Sequence, residues 1–175
     1  MNTADYAAEE RLRNNLPLHI RALCPSDRAA MFASFQRMSG RSRYRRFFAP
    51  KNGFSEREIE YYINVDFINH VALVAVLGEG NSEVIAGGGR YIVTEPHRAE
   101  IACAVDDAHQ NLGIATHLIR HLLVIARQQE IVEVFAEVLS DNLAMLNVFR
   151  RCGSGMIARR EGAVVHVSLD LRMGG

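Results

Sequence analysis

Six residues, Gln110-Asn111-Leu112-Gly113-Ile114-Ala115, constrain this chain more than any other stretch, because they join two apolar patterns of different period. Upstream, Ile101, Cys103 and Val105 recur every second residue, as in a strand; downstream, Ile114, Leu118, Ile119, Leu122, Leu123, Ile125 and Ala126 recur at helical spacing. The connection is a strand-to-helix turn containing small residues, Gly113 and Ala115. Such a turn presents unpaired amide N–H groups at the positive end of a helix dipole, a ready anion site. Asn111 also fits a simpler role, as N-cap of an ordinary amphipathic helix.

The patterns on either side make the chain α/β. Residues 19–23 read as a short strand, followed by a helix from Pro25-Ser26-Asp27 through Met31, Phe35 and Met38, with Ser26 or Asp27 as its cap. Residues 42–48 and 56–64 read as helices, the second opened by Ser55 with Glu58 three residues on, the capping-box pattern. Strands over 71–77 and 83–93 form a hairpin. After the amphipathic helix come a strand over 132–139, then Ser140-Asp141-Asn142 and a helix carrying Met145, Leu146 and Phe149, then a hairpin over 156–160 and 163–171. Residues 1–16 are polar and Ala-rich and are expected to be a mobile extension or a short peripheral helix. Residues 17–175 are expected to form one domain, since 175 residues at 49% hydrophobic content support a single well-buried core.

Charge and cysteine content narrow the function classes. Twenty basic and twenty acidic residues cancel, so no general nucleic-acid or membrane surface is expected. The run Arg41, Arg43, Arg45 and Arg46, interleaved with Tyr44, Phe47 and Phe48, reads as a solvated helix face with aromatics turned inward. No apolar stretch reaches membrane-span length and no signal-peptide core is visible, which points to a cytoplasmic protein. Cys24, Cys103 and Cys152 are odd in number and far apart, so neither a disulfide framework nor a metal pairing is expected. Cys103 reads as a small buried apolar residue rather than a nucleophile.

Two further motifs invite chemistry. Gly87-Gly88-Gly89 precedes strand residues rather than a helix, so it reads as a bulge or close backbone approach, not a second phosphate loop. His117 and His121 lie four apart on the helix, yet no third ligand stands at suitable spacing, so no metal is expected. Glu100 is different: an acid inside the apolar strand 99–105 costs desolvation unless it has a task. It shares a face with Ala102 and Ala104.

The form Gln110-x-x-Gly113-x-Ala115 resembles the acetyl-CoA pyrophosphate motif of the GNAT superfamily of N-acetyltransferases. Strand, phosphate turn, helix, strand and Asn-led helix is also that family's core order. The segments Ile20-Arg21, Ser42-Arg43-Tyr44-Arg45-Arg46-Phe47-Phe48-Ala49-Pro50, Asp66, Ala99-Glu100-Ile101-Ala102 and Ser140-Asp141-Asn142 with Met145 look, more narrowly, like the catalytic domain of bacterial protein lysine acetyltransferases. The resemblance runs from about residue 18 to the end.

That resemblance implies a mixed, mostly antiparallel sheet, splayed at the acetyl-CoA site and flanked by helices on both faces. It implies acetyl-CoA as co-substrate, held by Cys103, Val105, Gln110, Asn111, Leu112, Gly113, Ile114, Ala115, Thr116 and Asn142. It implies Glu100 as general base and a protein lysine as acceptor, with an acyl-CoA synthetase as the class of target. A small-amine acetyltransferase and a non-catalytic acyl-CoA sensor are the alternatives, since one fold hosts all of these. The residues carry no mark of an oligomeric state. Many members have a Tyr seven residues after the Asn of the last core helix to protonate the departing thiolate; here that position is Phe149.

Overall fold

Every residue of the strand His70–Leu77 is buried, which makes it the axis of the fold. Val71, Leu73, Ala75 and Leu77 enter one apolar cluster; Ala72, Val74 and Val76 enter another on the opposite face. A continuous apolar run of this kind belongs to a strand covered on both sides. The computed structural model describes residues 2–153 and 155–172.

Among the described residues one sheet contains β1 (Ala7–Arg11), β2 (Pro17–Ala22), β3 (His70–Leu77), β4 (Val84–Glu95), β5 (Arg98–Val105), β6 (Glu133–Leu139), β7 (Met156–Glu161) and β8 (Val164–Asp170). Its order is β1-β2-β3-β4-β5-β6-β8-β7, antiparallel throughout except between β5 and β6. Helices α1 (Arg28–Gln36), α2 (Gly40–Phe47) and α3 (Glu56–Ile63) precede β3, and α4 (Ile114–Gln128) and α5 (Leu143–Cys152) flank β6 in the chain. The apolar stripe of α4, buried from Ile114 to Ala126, covers one face of the sheet; Ile59 and Ile63 of α3, with Met31 and Phe32 of α1, cover the other.

Local chemistry explains the boundaries. Ser55 accepts the Glu58 N–H while the Glu58 carboxylate accepts the Ser55 N–H, so the capping box that opens α3 forms as read. The helix expected from Pro25 begins instead with a 3-10 turn, Pro25–Asp27. Asp27 makes no side-chain cap to α1; its carboxylate turns back to accept the Cys24 N–H at 2.9 Å and both guanidinium N–H groups of Arg21 at 2.7 Å. The glycines themselves pair in register with Leu73, Val74 and Ala75, and the register shift falls just before them, at Ala86, opposite Ala75 and Val76. A Cβ on Gly89 would stand 2.9 Å from Leu122 Cδ1, so its absence lets α4 seat on β4.

The amino-terminal expectation needs correction. Residues 7–11 are neither a mobile extension nor a helix but the edge strand β1, paired with β2 from Ala7↔Arg21 to Arg11↔Pro17. Leu12, just beyond, is buried in the main core. The polar composition that suggested an extension is that of an edge strand with one face in solvent.

Candidate active site

The turn after β5 has the geometry of an anion cradle. Asn111 and Gly113 both adopt left-handed backbone, with φ of 64° and 97°. Gly113, not Asn111, is the N-cap of α4, and it offers no side-chain acceptor to the first turn. Among the described residues no protein acceptor takes the N–H groups of Gly113, Ile114, Ala115 or Thr116. Reading Asn111 as a simple cap is therefore wrong, and these amides remain directed outward at the positive helix end. The turn is braced from several sides. The Arg13 N–H donates to Leu112 O at 3.2 Å, and Gln110 Nε2 donates to Val105 O and to Ser42 Oγ of α2, both at 3.2 Å. Buried Asp106 accepts from Arg37 Nε at 2.7 Å and lies 2.6 Å from His109 Nδ1.

Beside the turn, the sheet opens. β5 and β6 pair only from Arg98↔Glu133 to Glu100↔Phe135, although both strands continue beyond this point. The Asp106 N–H donates to Ala86 O on the β4 side. By alternation the backbone groups of Cys103 and Val105 point the other way, into the gap. Val105 O is occupied by Gln110, which leaves the Val105 N–H and both groups of Cys103 facing the opening. The result is a cleft of about 650 Å³. It is lined by Glu100, Cys103, Val105, Gln110, Asn111, Gly113, Ile114, Ala115, Thr116 and Asn142, among others. Of the expected residues Leu112 alone does not line it: its side chain packs against the core.

Glu100 stands at the last paired position before the strands part. Its side chain is exposed and, among the described residues, makes no hydrogen bond or ion pair. A structural acid held by Arg90 is excluded, because Arg90 is engaged elsewhere. Its Nη1 lies 2.8 Å from His70 Nε2 and 3.3 Å from Tyr62 O, and its guanidinium sits over the Tyr62 ring at 4.5 Å. Burial, with the neighbouring Arg90 charge, lowers the His70 pKa to about 4, so its ring is neutral and accepts from Arg90 at pH 7.

The arginine run is not a uniform solvated face. Arg41 and Arg45 each reach Asp141 at 3.4 Å, joining α2 to the loop before α5 across the cleft mouth. Arg43 stacks over Phe35 at 4.3 Å, and half-buried Arg46 lines the cleft near Glu100. Asn142 caps α5 through the Met145 N–H at 3.3 Å, so it has a structural duty as well as a cleft position. Phe149 is buried in the core with an edge on the cleft. Burial pushes the Cys103 thiol up to about 12, which leaves no thiolate for a nucleophile at neutral pH. The sequence did not point to Arg13, Arg37 or Asp106 as supports of the turn. Arg13 reaches Leu112 and Arg37 reaches Asp106 from far away in sequence, so no local spacing marks these braces.

The model of the acetyltransferase (GNAT) family matches residues 39–154. Acetyltransferase Pat of Mycolicibacterium smegmatis is 30% identical over 156 residues, covering 87% of this chain and 45% of its own length. An acetyltransferase of Pseudomonas aeruginosa is 26% identical over 153 residues, covering 87% and 81%. This chain thus spans under half the length of the Mycolicibacterium relative. The solved GNAT domain of S. lividans PAT superposes with a TM-score of 0.85 at 29% identity, over 94% of this chain and 96% of that one. Spermidine N-acetyltransferase from Vibrio cholerae, solved with CoA and spermine, shares the fold with a TM-score of 0.68 at 18% identity, over 89% and 96%.

Proposed function

From the premise that this chain belongs to the GNAT acetyltransferase family and is an acyltransferase, we propose that it moves an acetyl group from acetyl-CoA to the side-chain amine of a lysine on a protein, with Glu100 as general base. The observation that carries this reading is the position of Glu100: an unpaired carboxylate at the point where β5 and β6 separate. The uncapped amides of residues 113–116 suit a pyrophosphate, and the free backbone groups of Cys103 and Val105 suit an amide-bearing arm.

The chemistry assigns each part a task. A lysine ammonium, with a pKa of about 10.4, must lose a proton before its nitrogen can attack. Glu100 accepts that proton, directly or through one water. The neutral nitrogen bonds to the thioester carbonyl carbon and gives up its second proton to solvent, the carbon–sulfur bond breaks, and the electron pair leaves on CoA sulfur. A thiol of pKa about 8.5 is a tolerable leaving group, so protonation by solvent serves where Phe149 has no hydroxyl to give.

The protein acceptor is supported by the resemblance of residues 42–50 and 99–102 to bacterial protein lysine acetyltransferases and by the exposure of Glu100 on the cleft. The test is incubation with acetyl-CoA and a cell extract, followed by mass spectrometry of acetylated lysines. Enzyme-dependent lysine acetylation is expected, an acyl-CoA synthetase among the targets. Turnover of a small amine at a specificity constant on the order of 10⁴ M⁻¹s⁻¹ or more, with no protein acetylated, would overturn it.

A further inference from the structure

On the far side of α4 the fold assembles a second constellation that acetyl transfer does not use. His117 and His121 project from the same helix face toward β1, where Glu10 lies between them. Glu10 Oε1 is 2.9 Å from His121 Nε2 and Glu10 Oε2 is 3.3 Å from His117 Nδ1. Both imidazoles are largely buried, with 16% and 14% of their side-chain surfaces exposed. The third ligand that the sequence withheld is thus supplied from 107 positions before His117, by a strand the sequence did not show.

We propose that Glu10, His117 and His121 form a divalent-metal site of the zinc class that fastens β1 to α4. Two imidazoles and one carboxylate are a ligand set that zinc takes, with a fourth position left for water. The three ligand atoms lie within 4.8 Å of one another. Tetrahedral bonds of about 2.0–2.1 Å place ligand atoms roughly 3.3 Å apart, so binding requires only small side-chain adjustments. The surroundings also select the tautomer. Tyr6 Oη lies 2.5 Å from His121 Nδ1, so an Nδ1–H can donate to the phenol while Nε2 keeps its lone pair toward the site. Magnesium, which seeks oxygen ligands and keeps its waters, is a poor match.

The site has a mechanical consequence. Glu10 precedes by three residues Arg13, whose N–H holds Leu112 in the anion turn. Metal binding would pin at its root the segment that braces the cleft.

The experiment uses the full chain without a histidine tag, stripped of metal by chelator. Zinc is titrated in competition with a chromophoric chelator, and cobalt is titrated by visible absorption. The expected result is one zinc per chain at micromolar affinity or tighter, a tetrahedral cobalt spectrum, and a zinc-dependent rise in Tm. Glu10→Gln and His117→Gln should each weaken zinc at least tenfold and abolish the rise. Tyr6→Phe should weaken it roughly 10- to 100-fold while leaving all three ligands in place. The proposal is overturned by absence of saturable one-to-one binding, or by unchanged zinc affinity in folded Glu10→Gln or Tyr6→Phe protein. If a ligand variant fails to fold, the wild-type cobalt spectrum and Tyr6→Phe decide.

Discussion

At Gly113 the backbone, rather than space, sets the requirement. Its φ is 97°, and a Cβ there would find nothing closer than Arg13 at 3.8 Å. Gly113→Val should therefore misdirect the amides of α4 through strain of about 1–3 kcal/mol, weakening acetyl-CoA at least tenfold while the circular dichroism spectrum is kept; unchanged affinity would move the cofactor elsewhere. Phe149 gives the opposite expectation. It is buried, so Phe149→Tyr should change kcat less than threefold, and a large gain in steady-state assays would show that thiolate protonation had been limiting. His70 predicts a pH effect. Its folded pKa of about 4 lies below the ordinary 6.5, so between these values the unfolded chain binds more protons. Its contribution to stability is complete above about pH 6.5 and is lost as pH falls toward 4. Thermal melts across that window should show Tm falling with pH, and His70→Gln should flatten the fall.

Among the elements, those with strong local signals were legible: α4 by its helical period, α3 by its capping box, and β3 by its unbroken apolar run. Glu100 stood out too, as an acid in an apolar strand, but its side chain is exposed, so it is its place where β5 and β6 part, and not a burial cost, that sets it apart. What escaped was long-range. β1 carries no apolar alternation because it lies at a sheet edge, and Glu10 becomes a neighbour of His117 and His121 only after that edge pairs. The anion turn likewise depends on Asp106, which is 1% exposed and bonded to an arginine 69 residues earlier. Arg37→Ala leaves that carboxylate buried with only His109 beside it. A buried pair broken on one side costs about 3–5 kcal/mol, and the lower end is expected because His109 remains. Calorimetry should show the loss, with a raised KM for acetyl-CoA because the turn loses a brace; an unchanged Tm would show that Asp106 does not depend on Arg37.

For the whole molecule, the proposed catalysis draws on three features that converge: a helix start with free amides, a sheet that opens at one parallel seam, and a carboxylate at the apex of that opening. The sequence placed the first and third on their elements, but the three-residue limit of β5–β6 pairing is a property of the assembled sheet. Among the described residues no helix is long and apolar enough to cross a membrane. The account turns on Glu100, and its most direct test is CoA release by wild type and Glu100→Gln across pH 6–10, with a lysine acceptor and with acetyl-CoA affinity measured alongside. The amide keeps the shape of the side chain and removes its basicity. Unchanged acetyl-CoA affinity is predicted, with turnover lower by roughly 10²- to 10⁴-fold near neutral pH, and a deficit that narrows as the acceptor amine loses its own proton. Equal turnover of the two proteins at neutral pH would contradict the assignment.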